Sequence, residues 1–179
     1  GYPGEIHIDD EATIILQNDS SNPYYPVIND SVKVTLQKLC IEKDAELSIK
    51  ENAELNVNEN GEIENKGKIY INGGKINKND PTQGLVIYDL QDSGTISDLE
   101  YYDLLLLNGE LKIDNDLIVN GRLDICTDVE SNSFVNIKTN NPINIKKDIK
   151  FSVQLSLSNS VVFESENKNK VLFTKEIKS

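Results

Sequence analysis

The chain has 179 residues, 37% hydrophobic and 27% charged, which is enough for one domain with a sizeable core and too apolar for a disordered chain. Its net charge of −12 excludes a nucleic-acid binder, whose phosphate contacts need a basic footprint, and favours cations or basic partners. Aromatic residues are scarce, so the core must be aliphatic, and no run of 18 apolar residues exists that could cross a bilayer as a helix.

Residues 1–35 hold two short strand patterns, EIHI at 5–8 and ATIIL at 12–16, followed by a loop with NPYYP at 22–26. They read as first strands and an N-terminal cap. Residues 36–126 carry a repeated phrase of small residue, charged residue, aliphatic, variable, aliphatic. It is complete at Ala45–Ile49, Ala53–Val57, Gly67–Ile71, Gly109–Ile113 and Gly121–Ile125, and shortened at Gly61–Ile63 and Gly74–Ile76. Each aliphatic pair has period two, which places both side chains on one face of a strand and the charged residue on the other.

The connections between neighbouring phrases are too short for a helix. From Ala45 to Ala53 is 8 residues, from Ala53 to Gly61 is 8 and from Gly61 to Gly67 is 6, which sum to 22. Three short faces per turn of that length describe a parallel β-helix, or β-solenoid, whose inward aliphatics stack in ladders about 4.8 Å apart. The general rule for parallel crossovers makes it right-handed. The 22 asparagines suit its many corners, because Asn tolerates the left-handed backbone. Asn108-Gly109 and Asn120-Gly121 leave an antiparallel meander as the alternative. Residues 81–98 read as an irregular excursion or a wider coil, and residues 127–179 as C-terminal coils and a cap, ending in FSVQLSLSNSVVF and KVLFTKEI. The whole chain, 1–179, is thus one all-β domain.

The stretch LCIEKDAELSIKENAELNVNENGEIENKGKIYINGGKI, echoed in YYDLLLLNGELKIDNDLIVNGRLDI, resembles the repetitive parallel β-helix regions of secreted surface proteins and adhesins of the Bacteroidetes. The resemblance implies the same fold and an extracellular or cell-surface setting, without naming a ligand. Beginning at Gly1 and containing no Met, the sequence reads as a processed or excised piece.

Few residues bear chemistry. His7 is the single histidine, placed with solvent-facing parity in EIHI, and it has no partners for a catalytic triad or a metal cluster. Glycosidase chemistry needs two carboxyls across a cleft. Glu46, Glu54 and Glu62 are the candidates, but they read as solvated outer faces, and Arg122 is the single arginine. Asp114, Asn115 and Asp116 supply oxygens without the ordered series of a calcium loop and read as a polar turn. Tyr24, Tyr25, Tyr101 and Tyr102 form two pairs of which half the rings should pack inward. Cys40 and Cys126 both have outward parity and stand 86 residues apart, about four turns or about 19 Å along the stack, too far for a disulfide that needs Cα atoms within about 7 Å. They are candidates for intermolecular contact.

No catalytic, cofactor-binding or metal-binding residue is assigned. The expectation is a non-enzymatic extracellular structural or adhesive module whose partners are copies of itself, stacked head to tail as a fibre, or cell-surface components. A glycan-binding or glycan-cleaving β-helix is the alternative. An ice-binding solenoid would want a regular Thr-x-Thr face, which is missing.

Overall fold

A computed structural model describes residues 5–7, 12–18, 25–96, 99–127, 134–139, 143–153 and 160–164. All regular structure among them is β-strand, and every strand pairing is parallel, so the meander alternative is wrong and the β-solenoid is right. The chain visits three faces in rotation. On the first face β1 (Glu5–His7) lies in register on the start of β4 (Lys33–Ile41), which lies on the start of β6 (Glu54–Asn65), which lies on β8 (Lys75–Ile76). The second face stacks β2 (Thr13–Leu16) on the end of β4 and that on the end of β6. The third face begins with β3 (Val27–Ile28), β5 (Glu46–Ile49) and β7 (Lys68–Ile71).

It continues without a break through β9 (Leu85–Thr95), β11 (Asp103–Ile113), β13 (Arg122–Thr127) and β16 (Asp148–Val153). The ends of β9 and β11 resume the first face and lead to β14 (Phe134–Thr139) and β17 (Ser160–Glu164). A second-face ladder resumes as β10 (Glu100–Tyr101), β12 (Leu117–Val119) and β15 (Ile143–Ile145).

The inward rows are what the repeated phrase requires. Ile28, Ile49, Ile71, Tyr88, Leu106 and Ile125 form one row, five steps long and buried throughout. Leu47, Ile69, Val86, Leu104, Leu123 and Ile149 form its neighbour. Burying a side chain of this size contributes roughly 1.5–3 kcal/mol, and the stack repeats that gain at each turn. Corners use left-handed backbone at Ser31, Asp44 and Asn52. They also explain the small residue that heads each phrase: a Cβ on Gly67 would come within 2.2 Å of the Ala45 carbonyl oxygen one turn below.

Steps along the first row take 21, 22, 17, 18 and 19 residues. The 22-residue turn therefore holds only at the start. The shortest step corrects the reading of residues 81–98: 81–84 are irregular, but Leu85–Thr95 is a long strand in a narrowed turn, not an excursion or a wide coil. The N-terminal segments enter as first-turn strands β1, β2 and β3. Within the expected C-terminal coils and cap, 127–179, the strands β14 to β17 continue the coil stack, and residues 165–179 lie outside the described residues.

Candidate functional site

The charged residues of several phrases face outward and pair with the rung above or below. Glu46 on the third face accepts from Lys68 at 2.7 Å, and Glu54 on the first face from Lys33 at 3.1 Å. On the second face Glu62 and Glu64 share Lys38, the latter at 3.1 Å. These contacts raise the pKa of Lys38 and hold Glu64 and, through Lys33, Glu54 below the usual carboxylate range. The three glutamates considered for sugar chemistry thus stand on three different faces and do not converge on a cleft. Arg122 is engaged likewise, 2.8 Å from Asp124 of its own strand.

Asp124 differs from the others. Burial pushes its carboxyl up, only partly offset by Arg122 and Lys150, and its Oδ1 is buried without a hydrogen-bond donor.

Asp114, Asn115 and Asp116 form an exposed turn in which Asp114 pairs with Lys112 at 2.9 Å. No group of three or more ligating side chains gathers among the described residues. Tyr101 is fully buried and meets Tyr88 edge-on, with hydroxyls 2.9 Å apart, so it bridges the second and third faces across the core. Tyr102 faces outward and carries Lys147 over its ring, 4.5 Å from the centroid, with Nζ donating to its hydroxyl at 2.7 Å. Tyr25 is exposed, whereas Tyr24 and the side chain of His7 lie outside the described residues.

Cys40 and Cys126 are half-buried, outward-facing and not in a disulfide. The pairing places them four steps apart along the stack, Cys40 on the second face and Cys126 on the third. Burial pushes the Cys40 thiol up, and the Glu64 carboxylate, which accepts from its Sγ at 3.7 Å, adds to the shift.

The feature that sequence reasoning missed is a seam in the turn after β7. There the first face stops at β8 and the second has no strand, so side chains finish the backbone edge of the turn below. The Asn77 amide accepts from the Val57 N–H at 2.8 Å and donates to its carbonyl at 2.9 Å, imitating a peptide group of the next rung. Lys78 Nζ donates to the carbonyls of Asn58, Glu59 and Gly61 at 2.8, 2.5 and 2.9 Å. Asp80 accepts from the Asn65 N–H at 3.3 Å while Thr82 donates to its other oxygen from both N–H and hydroxyl. The carboxyl of Asp80 is buried, which opposes ionisation, yet these donors hold it below the usual aspartate range.

Where the first-face ladder is interrupted, between β8 and the end of β9, an open cleft of about 670 Å³ lies against Ile76, Tyr88 and Leu90. Asn56, Ser93 and Thr95 line its mouth. The available signal was NKND at 77–80, a polar run where the repeat demanded an aliphatic pair.

No family model, curated protein or solved structure significantly matches this chain.

Proposed function

We propose that this chain is a non-enzymatic structural or adhesive module of an extracellular or cell-surface protein, of the kind the Bacteroidetes surface proteins carry. The observation that supports this reading is the third face, where one ladder of seven strands, β3 to β16, joins every turn without interruption. A rod held by a continuous hydrogen-bonded sheet and stacked aliphatic rows keeps a fixed length, which suits a spacer or display surface. Its outer carboxylates act as partners for lysines on adjacent rungs.

The native thiols supply the test. Spin labels on Cys40 and Cys126, measured by pulsed electron spin resonance, should give one narrow distance population with an axial component of about 19 Å. A broad or multiple population would overturn the rigid-module reading, and release of reducing ends from acidic or neutral glycans would overturn its non-enzymatic part.

The seam cleft favours a second reading, glycan binding, because amide and hydroxyl side chains surround an apolar floor. Titration of oligosaccharides against the wild type and Ser93→Tyr, which would obstruct the mouth, separates the two: saturable binding lost in the variant supports it, and no binding dismisses it.

A further inference from the structure

We propose that Asn72–Gly73 is a site of spontaneous covalent modification, where the chain converts its own side-chain amide to an aspartyl or isoaspartyl linkage and thereby loosens the seam. The proposal holds whatever the module binds.

The sequence contains four Asn-Gly pairs, at 60–61, 72–73, 108–109 and 120–121. In such a pair the backbone nitrogen of the glycine attacks the asparagine Cγ, since no side chain on the glycine obstructs a five-membered ring. The nitrogen gives its proton to water, the Cγ–Nδ2 bond breaks, ammonia leaves and a succinimide remains. Water then opens the ring at either carbonyl, giving Asp or isoAsp. Water is the one co-reactant and no oxidation state changes. Selection among four chemically equal pairs falls to the fold: whether the glycine nitrogen is committed and whether its backbone is held.

Three of the pairs are held. The Gly121 N–H donates to the Tyr102 carbonyl at 2.7 Å, and the Asn120 amide donates to the Pro81 carbonyl and to Glu100. Gly109 is buried inside β11 and stands in register with Val135 of β14. Gly61 lies within β6, where a Cβ would come within 2.2 Å of the Gln37 carbonyl oxygen on the rung below, and its own carbonyl accepts from Lys78.

Asn72–Gly73 lies between β7 and β8, outside every strand. The Gly73 N–H makes no hydrogen bond among the described residues. Its φ is +87°, a region glycine enters and leaves at little cost, and a Cβ there would meet nothing closer than 3.4 Å. Gly73 and Gly74 line the seam cleft, which admits the water that the reaction consumes. The Asn72 amide is tethered by a single long hydrogen bond, Nδ2 donating to the Asp89 carbonyl at 3.3 Å.

That bond gives the modification its consequence. It ties the corner after β7 to β9 in the turn above, beside the interrupted first-face ladder. Either product removes the donor and sets a carboxylate or a displaced backbone against the Asp89 carbonyl. In the isoAsp product the main chain also runs through Cβ and Cγ, one bond longer, directly before Gly74. Gly74 has no room to yield: a Cβ on it would come within 2.5 Å of Ile49 Cγ2 and 2.6 Å of the Lys50 carbonyl oxygen. The strain therefore passes to β8, at the seam.

The test is incubation of the full chain at pH 7 and pH 9, followed by intact mass, peptide mapping and isoaspartyl methyltransferase labelling. Asn72 should gain one mass unit severalfold faster than Asn60, Asn108 and Asn120, and faster at pH 9, because the attacking nitrogen is the deprotonated one. In urea the four pairs should convert at similar rates, which separates selection by the fold from selection by sequence. Asn72→Gln, whose ring closure would be six-membered, should remove the fast phase. Aged wild type should exchange amide hydrogens faster over residues 72–76 than fresh protein, and Asn72→Asp should reproduce part of that change. Equal rates at the four sites of the folded chain, a faster site elsewhere, or unchanged exchange at the seam after conversion would each overturn the proposal.

Discussion

Adjacent residues in β7 have opposite fates. Ile69 is fully buried between Leu47 and Val86, whereas Lys68 points outward to Glu46. Ile69→Asp should cost more than about 4 kcal/mol and unfold the domain, since its carboxylate would enter a stacked apolar row. Lys68→Asp, which replaces a half-buried, outward-facing ion pair by a repulsion, should cost about 1–2 kcal/mol. Thermal denaturation of the two variants checks this, and equal melting temperatures would reject the inward and outward assignment.

Two aspartates should respond to acid in opposite senses. Asp80 titrates below its ordinary 3.8 in the fold, so its stabilisation is full above that value and is lost as pH falls through the lower folded pKa. Asp80→Asn should therefore lower stability at pH 7 by about 2 kcal/mol, with the deficit shrinking below about pH 3.8. Asp124 titrates above 3.8, so the proton is held more tightly in the fold and stability is lost as pH rises through the folded value. Asp124→Asn should raise the melting temperature at pH 7 and change it little at pH 3. Melting curves across pH 3 to 8 read both signs.

At the scale of elements, side chains substitute for strands at the seam. Asn77→Ala removes both partners of the Val57 peptide groups and should destabilise by about 1–3 kcal/mol, measured by denaturant titration, despite the exposure of Asn77. Gly84→Ala should be worse, because φ is +81° and the added Cβ would lie 2.1 Å from the Asn65 carbonyl oxygen. The strands themselves were legible in sequence, since alternation over four residues is enough to tell inside from outside. The β8 stop was not: it depends on which side chain reaches the Val57 peptide 20 residues earlier, and no local pattern carries that distance. The same holds for Tyr88 and Tyr101, whose parity predicts burial but whose hydroxyls find each other only once two faces enclose the core.

For the whole molecule the seam has a mechanical consequence. Turns below it are joined by ladders on all three faces, but across it only the third face, through β7, β9 and β11, is continuous. A solenoid's stability is roughly a sum over turns and their interfaces, so its weakest interface is where cooperativity breaks. Hydrogen exchange should show amides of β4 to β7 and of β11 to β13 protected as two units, with Asn77 to Gly84, the stretch without a strand, exchanging faster than either. A single uniform protection class would contradict this.

The sequence by itself determined the all-β class, the parallel coil, the inward rows, the small-residue corners and the separation of Cys40 from Cys126, because each follows from a two-residue period and a short repeat. Only the tertiary structure decided the shortening of the later turns, the side-chain closure at Asn77, Lys78 and Asp80 and the dispersal of Glu46, Glu54 and Glu62 over three faces. Those depend on which rung lies above which, and stacking register is a property of the assembled coil.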